Sequence, residues 1–493
     1  MKKISDYLQV NSEKIRKIAF WCCFVTGLIS LALIPVTHRG DDMTTPAKLT
    51  RLVLAFSVMA MVYLFMIKRN IKYFFIFAMI FFFVISNLYL MSDVIFKGYD
   101  NNWDWGDFVW MASIGGNPLY GANYPPIAVL FFAACYTLMP PYADAAIFDY
   151  CRKYLVTFFF LFTVIAIAFL FEDLFKKNKN YRLFTICILL TSPMLYAYQR
   201  MNIIIVVLIF VMLFWRYMDS EKKWKKNAGL FFLALAANFK YYPAAYGLIL
   251  LKKKRWKDAI ICGAMAVIMF IVPGIIEFFV EKSGYNLFEL TGGILSGSFR
   301  GGEASSITDA VTQAASLTAD INAYFVETDN VVNSAISIKS ILVRYLSAMS
   351  VSISTAEIIS YVIMGLVAVI TIISFFMTKE KYQEISLIAI LCVMVVTSSC
   401  WYYAVFLLPA FAVFMQKEKF TLFEHIMFIM WIGTFGNFWG FLNFHFVQGT
   451  ECLAVIWIMT VGNTVYRFIK DRKDKKNAVN ISNNTDIQLQ TVS

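Results

Sequence analysis

The feature that most constrains this chain is its succession of apolar runs long enough to cross a bilayer. Ala19–Val36, Tyr73–Leu90, Ala259–Val280 and Ile358–Met377 carry almost no charge. Each approaches or exceeds the ~20 residues that a helix needs to cross a hydrocarbon core of ~30 Å. A chain that is 60% hydrophobic and 15% charged is too apolar for a string of water-soluble domains, in which about 45–50% of residues are apolar. The runs lack the alternation of polar and apolar residues that a membrane barrel requires, so the spans are helical. The expectation is an all-α, polytopic membrane protein of about 12–14 membrane helices. Residues 1–469 would form one membrane domain, and 470–493 a disordered basic and polar tail.

A net charge of +12 suggests nucleic acid until the charges are located. Of the 44 basic residues, 32 fall in eight clusters: Lys2–Lys17, Lys68–Lys72, Lys176–Arg182, Arg216–Lys226, Lys252–Lys257, Lys379–Lys381, Lys417–Lys419 and Arg467–Lys476. These are short loops between apolar runs, and the positive-inside rule assigns all eight to the cytoplasm, along with both termini. The partner implied is membrane lipid rather than nucleic acid. The run from Ala19 is too long for a signal peptide and no small-residue cleavage site follows it, so it reads as an uncleaved first span. Nine cysteines without a C-x-x-C pair and three scattered histidines suggest neither a disulfide framework nor a metal centre. Metal-independent chemistry is expected, with a divalent ion left open.

The first long polar interruption, Gly98–Pro126, overlapping an external loop over 96–124, places Asp100, Asp104 and Asp107 beside Trp103, Trp105, Phe108, Trp110, Tyr120 and Tyr124. Carboxylates can take a proton from a hydroxyl, and flat rings can cover the C–H face of a sugar. The alternative is a surface loop whose aromatic residues anchor at the headgroups. The apolar segment that follows ends at Met139 between two proline pairs. It is too short for a comfortable span and reads as re-entrant or interfacial.

Farther along, cytoplasmic loops bracket apolar stretches that are broken on the outer side. The breaks are Tyr198-Gln199-Arg200-Met201-Asn202, Asn238-Phe239-Lys240-Tyr241-Tyr242-Pro243 and Cys400-Trp401-Tyr402-Tyr403. The arms of the second are too short to cross, so its tip is expected below the surface in a polar cavity. A cation there costs at least ~2.5–3.5 kcal/mol on the insertion scale, which marks Lys240, and to a lesser degree Arg200, as functional or snorkelling. The longest external segment, 281–354, is Gly-rich and then Ser/Thr/Ala-rich, and Ile336–Met349 within it carries Lys339 and Arg344 on a pattern suited to an interfacial helix.

Together these blocks resemble the multispanning GT-C glycosyltransferases, in particular family 87, the polyprenol-phosphate-mannose-dependent α-1,2-mannosyltransferases. The resemblance rests on G-D-F-x-x-x-A, G-N-P-L-Y and Y-P-P within Gly106–Pro126, Q-R-M-N-I-I-I at Gln199–Ile205, F-K-Y-Y-P at Phe239–Pro243 and W-Y-Y-A-V-F-L-L-P at Trp401–Pro409. It implies a GT-C-like fold in the inner (plasma) membrane of a bacterium. The implied reaction is inverting transfer of a mannose-like hexose from a polyprenyl-phosphate donor to a glycan or glycolipid acceptor on the non-cytoplasmic face.

In that account Asp107, with Asp104 nearby, is the catalytic acid pair and Asp107 the base. Lys240, Arg200 and Arg344 hold the donor phosphate, and Tyr120, Tyr124, Gln199, Asn202, Tyr241, Trp401 and Tyr402 line the substrate. A polysaccharide polymerase or O-antigen ligase, and a lipid-linked-sugar flippase or transporter, are the competing readings.

Reporter fusions at Lys222, Lys254, Lys381 and Lys473 are expected to report cytoplasm, and those at Asn102, Ser306 and Gln448 the opposite side. A cytoplasmic Asn102 would overturn both the topology and the chemistry built on Asp107.

Overall fold

The computed structural model describes residues 12–37, 159–172, 174, 181–282, 336–395, 401–416, 421–436 and 447–491, with single positions between 53 and 132. Apart from those positions, the expected spans Leu52–Ile67 and Tyr73–Ile95, the Asp-bearing loop, the segment to Met139 and most of 281–354 lie outside them. Every regular element among the described residues is helical. The first helices are α1 (Ser12–Thr37), α2 (Phe159–Glu172), α3 (Tyr181–Leu189), α4 (Ser192–Gln199), α5 (Ile204–Tyr217) and α6 (Lys223–Phe239). A 3-10 turn at Tyr242–Gly247 leads to α7 (Leu248–Lys252), α8 (Trp256–Lys282), α9 (Ile338–Ala348), α10 (Ile353–Met377) and α11 (Lys381–Met394). A second 3-10 turn, Trp401–Leu407, precedes α12 (Leu408–Met415), α13 (Leu422–Phe435) and α14 (Val447–Thr491).

Among the described residues three stretches, Trp256–Pro273, Ile353–Met377 and Gly449–Asp474, are long and apolar enough to cross a membrane. The protein is an all-α polytopic membrane protein. In α10 the usual rule of a soluble core is inverted: Ile358, Val362, Leu366, Val369 and Ile373 form an exposed stripe at helical spacing, while Ser360, Thr371 and Ser374 are buried. Lipid is as apolar as leucine, so the exposed stripe costs nothing and the polar residues turn inward. Ser360 donates to the Ala356 carbonyl at 2.6 Å, and Thr371 accepts the Trp457 indole N–H at 2.8 Å, tying α10 to α14.

One end of the bundle is a layer of ion pairs. Asp219, after α5, receives Lys253 at 2.5 Å and Arg255 at 3.0 Å; Asp258 receives Arg255 at 2.7 Å and Lys226 at 3.1 Å. Lys252 donates to the Thr378 carbonyl at 2.7 Å, pairs with Glu384 at 3.5 Å and sits 4.6 Å from the Phe375 ring. Burial pulls its ammonium below the ordinary lysine range against the upward pull of Glu384. Arg467 pairs with Glu380 and Lys379 with Asp471. Four of the basic clusters read from the sequence therefore share one end. The more exposed pairs, such as Lys253–Asp219, contribute only about 0–1 kcal/mol each, so their effect is to fix which loops are neighbours.

From this end α6 rises 17 residues, about 25 Å at the helical rise. The chain returns through the 3-10 turn and the 5-residue α7, about 20 Å in all. The return is too short to cross, and the tip at Lys240 is buried, so the hairpin is re-entrant in form.

At the opposite end α9 forms where the sequence leads one to expect an interfacial helix. Ser337 caps it by accepting the Ser340 N–H at 3.2 Å. Two ties hold it down. Lys339, 1% exposed, reaches Glu357 of α10 at 3.1 Å, and Tyr345 donates to Glu451 of α14 at 2.9 Å. Burial alone would lower the Lys339 pKa, but Glu357 and Tyr361 outweigh it and leave it raised, so the pair persists until strong alkali. α14 runs to Thr491; 470–491 contains no Gly or Pro to stop it.

Glu357→Ala is expected to leave the Lys339 ammonium buried without its carboxylate and to cost about 3 kcal/mol, whereas Lys339→Met should cost markedly less. Thermal unfolding in detergent at pH 7 measures both, and equal losses would refute the asymmetry.

Candidate active site

The three breaks read from the sequence meet at the end opposite the ion-pair layer. α4 closes with a Schellman turn: the Met201 N–H donates to the Tyr198 carbonyl and the Asn202 N–H to that of Ala197, each at 2.9 Å. Met201 occupies the left-handed position at φ 44° and is fully buried. Glycine is usual there, and a side chain costs about 1–2 kcal/mol. Arg200 is the helical C-cap. The Asn202 Oδ1 accepts the Ile204 N–H at 3.0 Å, starting α5.

The second break follows from proline chemistry. Pro243 lacks the N–H that α6 would need to continue, so Lys240 leaves the helix with extended backbone at φ −149°. Its side chain is buried at 6% exposure beyond the C-terminus of α6, where the partial negative charge of the last carbonyls favours a cation. The preceding Asn238 donates to the Ala266 carbonyl at 3.0 Å, fixing α6 against α8. At the third break the chain runs as a 3-10 turn from Trp401 to Leu407, and Pro409 opens α12.

Tyrosine rings join these breaks. Tyr196 of α4 lies 5.9 Å from Tyr402, Tyr402 is 5.0 Å from Tyr403, and Tyr403 is 4.8 Å from Tyr242, two residues beyond Lys240. The Arg200 guanidinium sits 5.9 Å from the centre of the Tyr402 ring. The buried Trp401 indole N–H donates to Ser192 at 3.0 Å. The outer corner of its six-membered ring abuts Gly449 of α14, so closely that a Cβ there would fall 1.6 Å from it.

Of the residues named from the sequence, the structure thus gathers Gln199, Arg200, Asn202, Lys240, Tyr241, Trp401 and Tyr402 on three adjoining breaks. Asp104, Asp107, Tyr120 and Tyr124 lie outside the described residues. Arg344 is on α9, and its side chain is also outside them. Tyr242 and Tyr403 stand inside the quoted breaks but were not named as site residues; Tyr196, Ser192 and Gly449 were not named at all, and Tyr196 lies just before the first break. Ser192 and Gly449 carry no local signal. Among the described residues no group of three His, Cys, Asp or Glu side chains could hold a metal ion.

Tyrosine rings and phenol groups gathered near a buried lysine and a guanidinium are the group types that recognise a sugar and a phosphate. Residues 123–400 match the family model for glycosyltransferase family 87. The chain belongs to that family. Neither the curated proteins nor the solved structures gave a match.

The protein is accordingly a membrane glycosyltransferase, with sugar donor, acceptor and membrane lipid as its partners. The family match covers the first two breaks, Lys240 and Arg344, begins after Asp107 and Tyr120, and ends one residue before Trp401. The tyrosine row therefore joins matched residues to a segment just beyond the match.

Gly449→Ala in this transferase is expected to push against Trp401 and to destabilise by about 1–3 kcal/mol, the usual cost of overpacking. Trp401→Phe removes the ring atoms that would clash, so the double variant should be more stable than the two single losses added together. A double-mutant cycle on thermal unfolding reads the coupling, and strict additivity would rule out the contact.

Proposed function

We propose that this family-87 enzyme transfers a hexose, mannose-like, from a polyprenyl-phosphate sugar to a hydroxyl of a glycan or glycolipid acceptor on the non-cytoplasmic face, inverting the anomeric centre. The observation that supports the reading is the burial of Lys240 two residues before Tyr242, whose ring continues the Tyr402–Tyr403 row, at the end of the bundle remote from the basic loops. The positive-inside rule places those loops in the cytoplasm. An enzyme working on the other side has no access to nucleotide sugars there, so its donor must be lipid-linked.

Asp107 takes the proton of the acceptor hydroxyl as its oxygen forms a bond to the anomeric carbon. The bond from that carbon to the phosphate oxygen breaks, and its electron pair leaves with polyprenyl phosphate. Lys240, with Arg200 and Arg344, carries the charge that develops on the departing phosphate. The tyrosine faces orient the ring, and grooves between the helices seat the polyprenyl chain.

Full-length enzyme in nanodiscs, given radiolabelled polyprenyl-phosphate sugars and a lipid-extract acceptor, is expected to move label to the acceptor. Lys240→Gln should lower transfer by about 100-fold or more, and Lys240→Arg by less, since a planar fork replaces a compact ammonium imperfectly. Asp107→Asn should keep expression, thermal stability and donor binding while transfer falls by about 100- to 10,000-fold. Donor binding without turnover by the wild type would favour a flippase, and transfer only from a lipid diphosphate a ligase or polymerase. Wild-type turnover by Lys240→Gln would make Lys240 a structural cation.

A further inference from the structure

α4 turns one face toward the third break. Ser192, Tyr196 and the C-cap Arg200, whose backbone is still helical, follow one another at intervals of four, a spacing that a helix keeps in one row. Two consecutive residues of the 3-10 turn engage that row. The Trp401 indole N–H donates to Ser192 Oγ at 3.0 Å at the start of α4. Toward its end the Tyr402 ring lies 5.9 Å from that of Tyr196, with the Arg200 guanidinium 5.9 Å from its centre and within cation–π reach.

Exposure divides these residues into two kinds. Ser192 is 0% and Trp401 2% exposed, and the far corner of the indole abuts Gly449, so neither offers surface to a ligand. Arg200 is half-buried and is the member of the row that a bound molecule can reach.

The Ser192 hydroxyl is not used to start the helix. The N-cap is Thr191, whose own hydroxyl donates to the Ile188 carbonyl at 2.7 Å. Among the described residues the Ser192 hydroxyl bonds Trp401. An indole carries a single N–H, so this one bond sets the rotation of the ring, in a place where water does not compete for it.

We propose that Ser192 and Trp401 are positioning residues for Arg200. Their buried bond fixes the 3-10 turn along α4, and the turn holds the Tyr402 ring against the Arg200 guanidinium, keeping that cation aimed at the donor phosphate. Trp401 thus acts through Tyr402 and not by contact with the sugar, while Gly449 closes the other side of the indole and keeps it turned toward Ser192. The part of Arg200 as a phosphate ligand rests on the function proposed above; the tie that holds it does not.

The test labels the arginines of the full-length protein in nanodiscs with phenylglyoxal and reads the rate at each site by peptide mass spectrometry, without substrate. Ser192→Ala is expected to raise the rate at Arg200 by about 2- to 10-fold, the weight of one neutral hydrogen bond, while Arg255 in the ion-pair layer keeps its wild-type rate. In a Trp401→Phe background, which lacks the N–H, Ser192→Ala should add nothing further. Trp401→Phe alone serves if Ser192→Ala fails to fold. An unchanged rate at Arg200, an equal rise at Arg255, or additive effects of the two substitutions would overturn the proposal. In a second arm polyprenyl phosphate is expected to slow labelling of Arg200 in the wild type, and to slow it less in Ser192→Ala. Absence of protection in the wild type would remove Arg200 from the donor site, a failure of the proposed function, and the rates without ligand would still decide the tie.

Discussion

Inside a bilayer a backbone amide that leaves its helix has no water to bond with, so a broken helix survives there only where protein encloses it. Most of the described architecture follows from this. The chain breaks three of its apolar segments, and each break is enclosed by the others. The Schellman turn after α4 satisfies its own carbonyls, and Asn202 supplies the start of α5. Tyr402 and Tyr403 of the third break cover the flanks of the first two. A pocket of polar groups at depth is thus the by-product of hiding irregular backbone, and the same enclosure makes a low-dielectric place where Lys240 can act strongly on a phosphate.

The ion-pair layer plays the complementary part. It ties the far ends of the hairpins to one another through Asp219, Asp258, Glu380 and Glu384, so each hairpin has one pinned end and one irregular end. Residues of different breaks can then be held at fixed separations although no regular element joins them directly. α9 is pinned in the same manner from the other side, by Lys339 to α10 and by Tyr345 to α14.

Helical class, the existence of the breaks and the amphipathic α9 were legible in the sequence, because each depends on local composition or on proline. The burial of Lys240 also followed from arithmetic, since the return arm through Pro243 is too short to cross. The Schellman turn was hidden: its left-handed residue is Met201 where Gly would have announced it. The packing of Gly449 against Trp401 joins positions 48 residues apart, and neither carries a local cue.

That packing bears on the order in which the molecule can be made. Trp401 contributes to the aromatic floor from the middle of the third break, yet the surface on which its ring lies belongs to the start of α14, which leaves the ribosome later. Until α14 has entered the membrane one side of the indole is uncovered, although its N–H can already reach Ser192 beside the first break. Completion of the aromatic floor is therefore a late event in biosynthesis: the cation-bearing hairpins insert first, and the final helix converts them from a set of separate re-entrant turns into a single floor.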